Sequence, residues 1–170
     1  PSGRAWTYLP YGPFEALRDF QRWVRDASKS HDTQFYAVVL NESDRPVGVA
    51  SYLNMDSNNG VVEVGHVHFS SLLQRSAAST EALYVMIDHV FGLGYRRCEW
   101  KCDSLNQPSV AAAERLGFVF EGTFRNARVY KGRSRDSSWF SIIDREWPAL
   151  KARIGQWLDP SNFHTDGSQL

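Results

Sequence analysis

Hydrophobic positions recur along this chain with two periods, one near 3.6 and one near 2, and the switches between them lay out the elements. Behind the Gly12-Pro13 turn, Phe14, Leu17, Phe20 and Val24 form one apolar stripe, with Glu15, Arg18, Asp19 and Arg22 off it, which predicts a helix. Residues 33–40 are β-branched and aromatic, and predict a strand. Residues 41–46 read as a turn, and 47–55 as a second strand. Residues 56–60 end in Asn-Gly, the strongest short hairpin signal, and 61–69 form a third strand. These three predict an antiparallel meander. The period then changes. Residues 80–93 are helical, with Leu83, Met86, Ile87, Val90 and Phe91 apolar. A strand over 96–102, an Ala-rich helix over 107–116 and strands over 118–124 and 138–144 follow, the last two joined by a basic loop around Lys131, Arg133 and Arg135. Trp147, Leu150, Ile154, Trp157 and Leu158 mark a final amphipathic helix. The order predicts an α/β (α+β) fold with a mixed sheet and helices on both faces. No linker or repeat interrupts it, so residues 1–158 are expected to form one domain, with a polar, loosely held tail over 159–170.

Composition narrows what this domain can do. The 170 residues carry 19 basic and 19 acidic side chains, for a formal net charge of zero. That argues against a nucleic-acid partner, because binding a phosphate backbone rests on cationic excess. Aromatic residues reach 14%, enough to line a ligand cleft as well as fill a core. Cys98 and Cys102 stand four apart on a predicted strand and so share a face. No matching His or Cys lies near, so no metal site is expected, and reduced buried thiols point to a cytoplasmic location. No apolar run approaches membrane-spanning length, and no membrane partner is expected. The chain begins at Pro1, which suggests a segment ahead of it.

The candidate chemistry starts at residues 73–82, Leu-Gln-Arg-Ser-Ala-Ala-Ser-Thr-Glu-Ala. They follow a strand and open a helix. A helix N-terminus presents unpaired N–H groups, which suit a pyrophosphate. A Ser79 or Thr80 cap would explain the same residues without a ligand. A second strand-to-helix junction lies at Asn106, positioned to cap the helix that Gly117 ends.

Here the sequence resembles the GCN5-related N-acetyltransferases, and within them the ribosomal-protein-alanine acetyltransferase-like branch. Gln74, Arg75, Ser76, Ala77, Ala78, Ser79 and Thr80 align with that family's acyl-CoA loop, followed by Glu81-Ala82. Asn106-Gln-Pro-Ser109 and Leu116-Gly-Phe-Val-Phe-Glu-Gly122 match its second motif. Residues 141–147, Ser-Ile-Ile-Asp-Arg-Glu-Trp, resemble the branch's closing segment. The resemblance spans about residues 6 to 150. It implies a mostly antiparallel central sheet flanked by helices on both faces, here lacking the first strand and helix. There are departures. Ala77 and Ser79 stand where the loop usually has glycine, and Ala113 stands where many members have a Tyr proposed as general acid. An added methyl fits the loop if the backbone dihedrals there are negative.

The resemblance implies transfer of an acetyl group from acetyl-CoA to a primary amine by direct attack in a ternary complex. The acceptor would be a protein N-terminus or a small-molecule amine, with no metal, and with a homodimer as the expected assembly. The loop residues, with Val67 and Phe69 on the preceding strand and Asn106 and Ser109 beyond, would bind the cofactor. Glu63 would be the base acting through water, His68 the second choice, His66 a further rival, and Ser141 the group near the cofactor sulfur. Tyr130 is a weaker candidate acid. A free Glu titrates near 4.3 and a free His near about 6.5, so a glutamate base calls for desolvation. The competing reading is a non-catalytic acyl-CoA-binding regulatory module.

Overall fold

A computed structural model describes residues 3–164 and 169–170. After a short 3-10 turn, Gly3–Trp6, the elements run α1 Leu17–Ala27, β1 Thr33–Leu40, β2 Arg45–Asp56, β3 Val61–Phe69, α2 Ala77–Gly92, β4 Arg97–Asp103, α3 Gln107–Leu116, β5 Val119–Tyr130, β6 Arg133–Ile143 and α4 Trp147–Trp157. The strands form one sheet in the order β1-β2-β3-β4-β6-β5. Every neighbouring pair is antiparallel except β3 and β4. This is the mixed, mostly antiparallel sheet the sequence predicts.

One face of the sheet carries the core. Val62, Val64, Cys98, Trp100, Cys102, Phe140 and Ile142 meet Leu83, Met86, Ile87 and Val90 of α2, Ala113 and Leu116 of α3, and Trp147 and Ile154 of α4. Both cysteines are buried and free, and burial pushes the Cys98 thiol far up. Gly117 ends α3 at φ 90°, and a Cβ there would lie 2.5 Å from Leu150 Cδ2, so left-handed backbone and close packing both demand glycine. The other face of the sheet carries α1.

Several local readings need correction. The α1 stripe does not hold: Leu17 is 70% and Val24 41% exposed, while Trp23 packs on Phe14, Phe20 and Phe35. Helix α2 starts at Ala77, three residues earlier than the pattern suggests. The basic loop is a two-residue turn, Lys131-Gly132, with φ of 49° and 71°, the geometry that matches strand twist in a tight hairpin. The strands around it are therefore long, and Lys131 Nζ reaches the Trp6 and Tyr11 carbonyls at 2.6 and 3.2 Å. The tail folds back. Asp159 caps a 3-10 turn at Ser161, Phe163 packs edge-on against Trp157, and Phe163 bridges to Gln169. Residues 165–168 of the tail lie outside the described part.

Candidate active site

The site begins where the sheet comes apart. β3 and β4 pair only through Val61–Glu63 and Arg97–Glu99. Beyond Glu63, β3 continues along β2 to Phe69, and β4 along β6 to Asp103, so two strand edges diverge without pairing to each other. Backbone groups on such edges need partners, and an extended amide-bearing arm supplies them as an added strand would. The fork opens into a cleft of about 2310 Å³, walled by both strands, the loop before α2, the start of α3 and the β5–β6 hairpin.

A bulge in β3 sorts the side chains. Gly65 to His68 spans three residues where Ser51 to Val49 spans two, and His66 takes up the extra residue at φ 50°. Strict alternation would have grouped Val67 and Phe69 with Glu63, and His66 and His68 with Val64. The bulge reverses this beyond Gly65. Val67 and Phe69 pack on the core. Glu63, His66 and His68 share the opposite face, where His66 stacks on Tyr11 at 5.5 Å and His68 on Trp6 at 3.9 Å. Burial holds both imidazoles below the usual histidine range. The Arg128 charge adds to this for His66, and a hydrogen bond to the Ala5 backbone opposes it for His68. A second register shift gives Asn54 a φ of 49°, and its amide reaches Glu63.

Glu63 is 6% exposed and held on one oxygen only. Oε2 accepts from Asn54 Nδ2 at 2.7 Å and pairs with Lys101 Nζ at 2.9 Å. Oε1 has no partner among the described residues and lies on the side of Gly65, where an added Cβ would approach it to 3.4 Å. Lys101 also bridges to Glu99 at 2.8 Å and lies 3.9 Å from the Trp139 ring centroid. Burial pushes Glu99 up, but Lys101 and Arg97 outweigh it and leave Glu99 below the usual carboxylate range. Ser141 does not join the cleft wall. Its hydroxyl donates to Glu121 Oε1 at 2.7 Å, beside the Arg97 that clamps Glu121. Tyr130 donates to Asp103 at 2.6 Å, and burial and that carboxylate raise its pKa, which weakens it as an acid. Ala113 is fully buried, while Ala112 faces the cleft.

The opposite wall is made of backbone. Ser76 caps α2, accepting from Ser79 N–H at 3.2 Å and donating to the Leu73 carbonyl at 2.7 Å. The cap is therefore Ser76, not Ser79 or Thr80. Both of the latter are buried, and Ser79 Oγ turns back to the Ser76 carbonyl at 2.7 Å. Arg75 takes the one left-handed conformation of the loop, at φ 60°. Ala77 and Ser79 lie inside the helix at negative φ, so neither position needs glycine. The cap takes the Ser79 N–H, and the Ala77 and Ala78 N–H groups ahead of it have no intrahelical acceptor; Arg75, Ser76 and Ala77 line the cleft at this helix start. Gln74 braces this loop by donating to the Phe69 carbonyl at 2.7 Å. Across the cleft, the Asn106 side chain does not cap α3, contrary to expectation, and is free to meet a ligand. Ser109 accepts from the Trp100 indole at 3.0 Å. A trough between two unpaired strand edges that ends at a helix N-terminus fits an amide arm carrying a pyrophosphate.

Comparison with known proteins says which arm. The acetyltransferase (GNAT) domain family matches residues 2–119. The chain is 29% identical over 139 residues to an uncharacterized N-acetyltransferase, p20, of Bacillus licheniformis, covering 81% of this chain and 78% of p20. A crystal structure of a GCN5-related N-acetyltransferase from Brucella melitensis superposes with a TM-score of 0.96 at 44% identity, covering 99% of this chain and 76% of that one. A GNAT-family structure from Chromobacterium violaceum gives 0.83 at 46% identity over 86% of this chain and 74% of that one. The chain belongs to the GCN5-related N-acetyltransferases. It is an acetyltransferase, and its family draws the acetyl group from acetyl-CoA.

Among the described residues, no group of three or more His, Cys, Asp or Glu could hold a metal, and no helix is long and apolar enough to cross a membrane.

Proposed function

We propose that this enzyme acetylates a primary amine, a protein N-terminus or a small molecule, by direct attack within a complex of both substrates. Bound acetyl-CoA supplies the activated acetyl thioester. The observation that carries the reading is the position of Glu63. It is the last paired residue of β3 before the fork, and its Oε1 is unoccupied and turned toward Gly65. Lys101 and Asn54 hold Oε2, which fixes the carboxylate and leaves the second oxygen to receive a proton, directly or through one water. His68, kept neutral by burial, stands on the same face and can carry the proton onward. The remaining residues orient. The edges of β3 and β4 grip the arm, the α2 N-terminus neutralises the pyrophosphate, and Asn106 is free to bond the arm near the start of α3.

Thiol release and product mass over an amine panel test this reading. Equal amounts of thiol and acetylated amine are expected. Binding without turnover on any amine would instead favour a regulatory acyl-CoA module. Acetyl-CoA at a hundred times its Kd should add about 2.7 kcal/mol to stability in either case, and no thermal shift would remove both.

A further inference from the structure

The mechanism above leaves one row of side chains unused. Arg135, Ser137 and Trp139 follow one another at every second position of β6, and all three line the acceptor half of the cleft. Each carries a polar atom shut off from solvent with no partner among the described residues: Arg135 Nε, Ser137 Oγ and Trp139 Nε1. Ser137 is only 4% exposed. Other buried polar side chains of this sheet are paired: Ser138 with Thr123, Ser141 with Glu121, and Trp100 with Ser109. Three unmade hydrogen bonds in one row are costly unless a ligand makes them. The neighbours on β4 cannot serve. Asp103, opposite Ser137, is taken by Tyr130 and the Leu105 N–H. Lys101, opposite Trp139, is taken by Glu63 and Glu99.

The row offers donors, and the cleft-lining cations next to it, Arg128 and Arg135, have no ion-pair partner among the described residues. The carboxylates beside the row are already paired: Asp103 is bonded and has Arg133 at 3.8 Å, and Glu63 and Glu99 hold Lys101. We propose that Arg135, Ser137 and Trp139 recognise the body of the acceptor, and that they take an amine whose body carries carboxylate oxygens. A polyamine would bring only donors and further positive charge, and would leave Arg135 Nε and Trp139 Nε1, which can only donate, unpaired. The proposal rests on the amine-acetylation reading and narrows it.

Initial rates with alanyl-alanine, its C-terminal amide and spermidine test it. For the wild type, kcat/KM should fall in that order, by about tenfold or more from first to last. Ser137→Ala should raise KM for the dipeptide by about fivefold or more, leave KM for acetyl-CoA unchanged, and keep the melting temperature, because the hydroxyl it removes bonds nothing among the described residues. Arg135→Gln should flatten the preference for acid over amide. Spermidine as the best substrate, an unchanged dipeptide KM in Ser137→Ala, or silence of all three amines while acetyl-CoA still stabilises the protein would each overturn the proposal. Loss of the acetyl-CoA shift itself would instead sink the underlying reading.

Discussion

The two walls of the cleft are built from different materials. The wall formed by the β3 edge, the loop and the start of α2 is backbone. The wall proposed to face the amine is side chain: Glu63 and Lys101 from adjacent strands, two histidines under Trp6 and Tyr11, and the donor row of β6. Backbone recognition tolerates substitution. Ala77 and Ser79 replace glycines without strain because the helix already holds them at negative φ. Side-chain recognition does not tolerate it, since each group does its work through one atom. The difference predicts where mutations should hurt.

Glu63→Gln should give the largest effect, a fall in kcat of about a hundredfold or more, as removal of a general base does. Binding of acetyl-CoA should be nearly unchanged, because Lys101 keeps Glu99 and the backbone wall is untouched. Stopped-flow rates and calorimetric titration read the two quantities. Retained turnover would remove Glu63 as the base. Gly65→Ala sharpens the same contrast. Its Cβ would meet Leu53 Cδ2 at 2.9 Å and crowd Glu63 Oε1, so kcat should fall by about tenfold while the pyrophosphate cradle stays intact. On the other wall, Ser76→Ala removes the cap of α2. It should cost about 1 kcal/mol of stability in a denaturant melt and weaken CoA binding severalfold, with little change in kcat.

The smallest expected effect lies outside the cleft and serves as the control. Arg97 holds the Glu121 carboxyl at about 2, well below its ordinary 4.5. The folded pKa is depressed, so this contribution is present above about 4.5 and is lost as pH falls toward about 2. Glu121 is partly exposed, which screens the gain. Glu121→Gln should therefore lower the melting temperature slightly at neutral pH, with the gap to wild type closing through that window. Turnover of the variant should be unaffected.

The same division explains what could be read in advance. Local patterns carried the backbone wall: the strand over 61–69 and the glycine end of α3 at Gly117 fell where expected, and the 73–82 junction did open a helix, though three residues early with Ser76 as its cap and with Asn106 not capping α3. Their geometry depends on neighbours in sequence, and the family motifs follow it. The amine wall depends on distant partners and on one irregularity. Nothing in Gly-His-Val-His announces a bulge, yet the extra residue at His66 reverses which side chains face away from the core. Trp6 on His68, Lys131 on the Trp6 and Tyr11 carbonyls, and Tyr8 on the Leu105 carbonyl all join segments far apart in the chain. Ser141 was misplaced for the same reason. Its strand was legible, but the Glu121 that claims its hydroxyl comes from the neighbouring strand, beside a register shift.

The most direct test of the account is the stoichiometry of transfer. Wild-type enzyme, acetyl-CoA and an amine that supports thiol release are followed together for free thiol and, by mass spectrometry, for acetylated amine. The account predicts one acetylated amine per thiol in the wild type, and near-complete loss of both in Glu63→Gln with acetyl-CoA still bound. Thiol release without acetylated amine, or full transfer by Glu63→Gln, would contradict it.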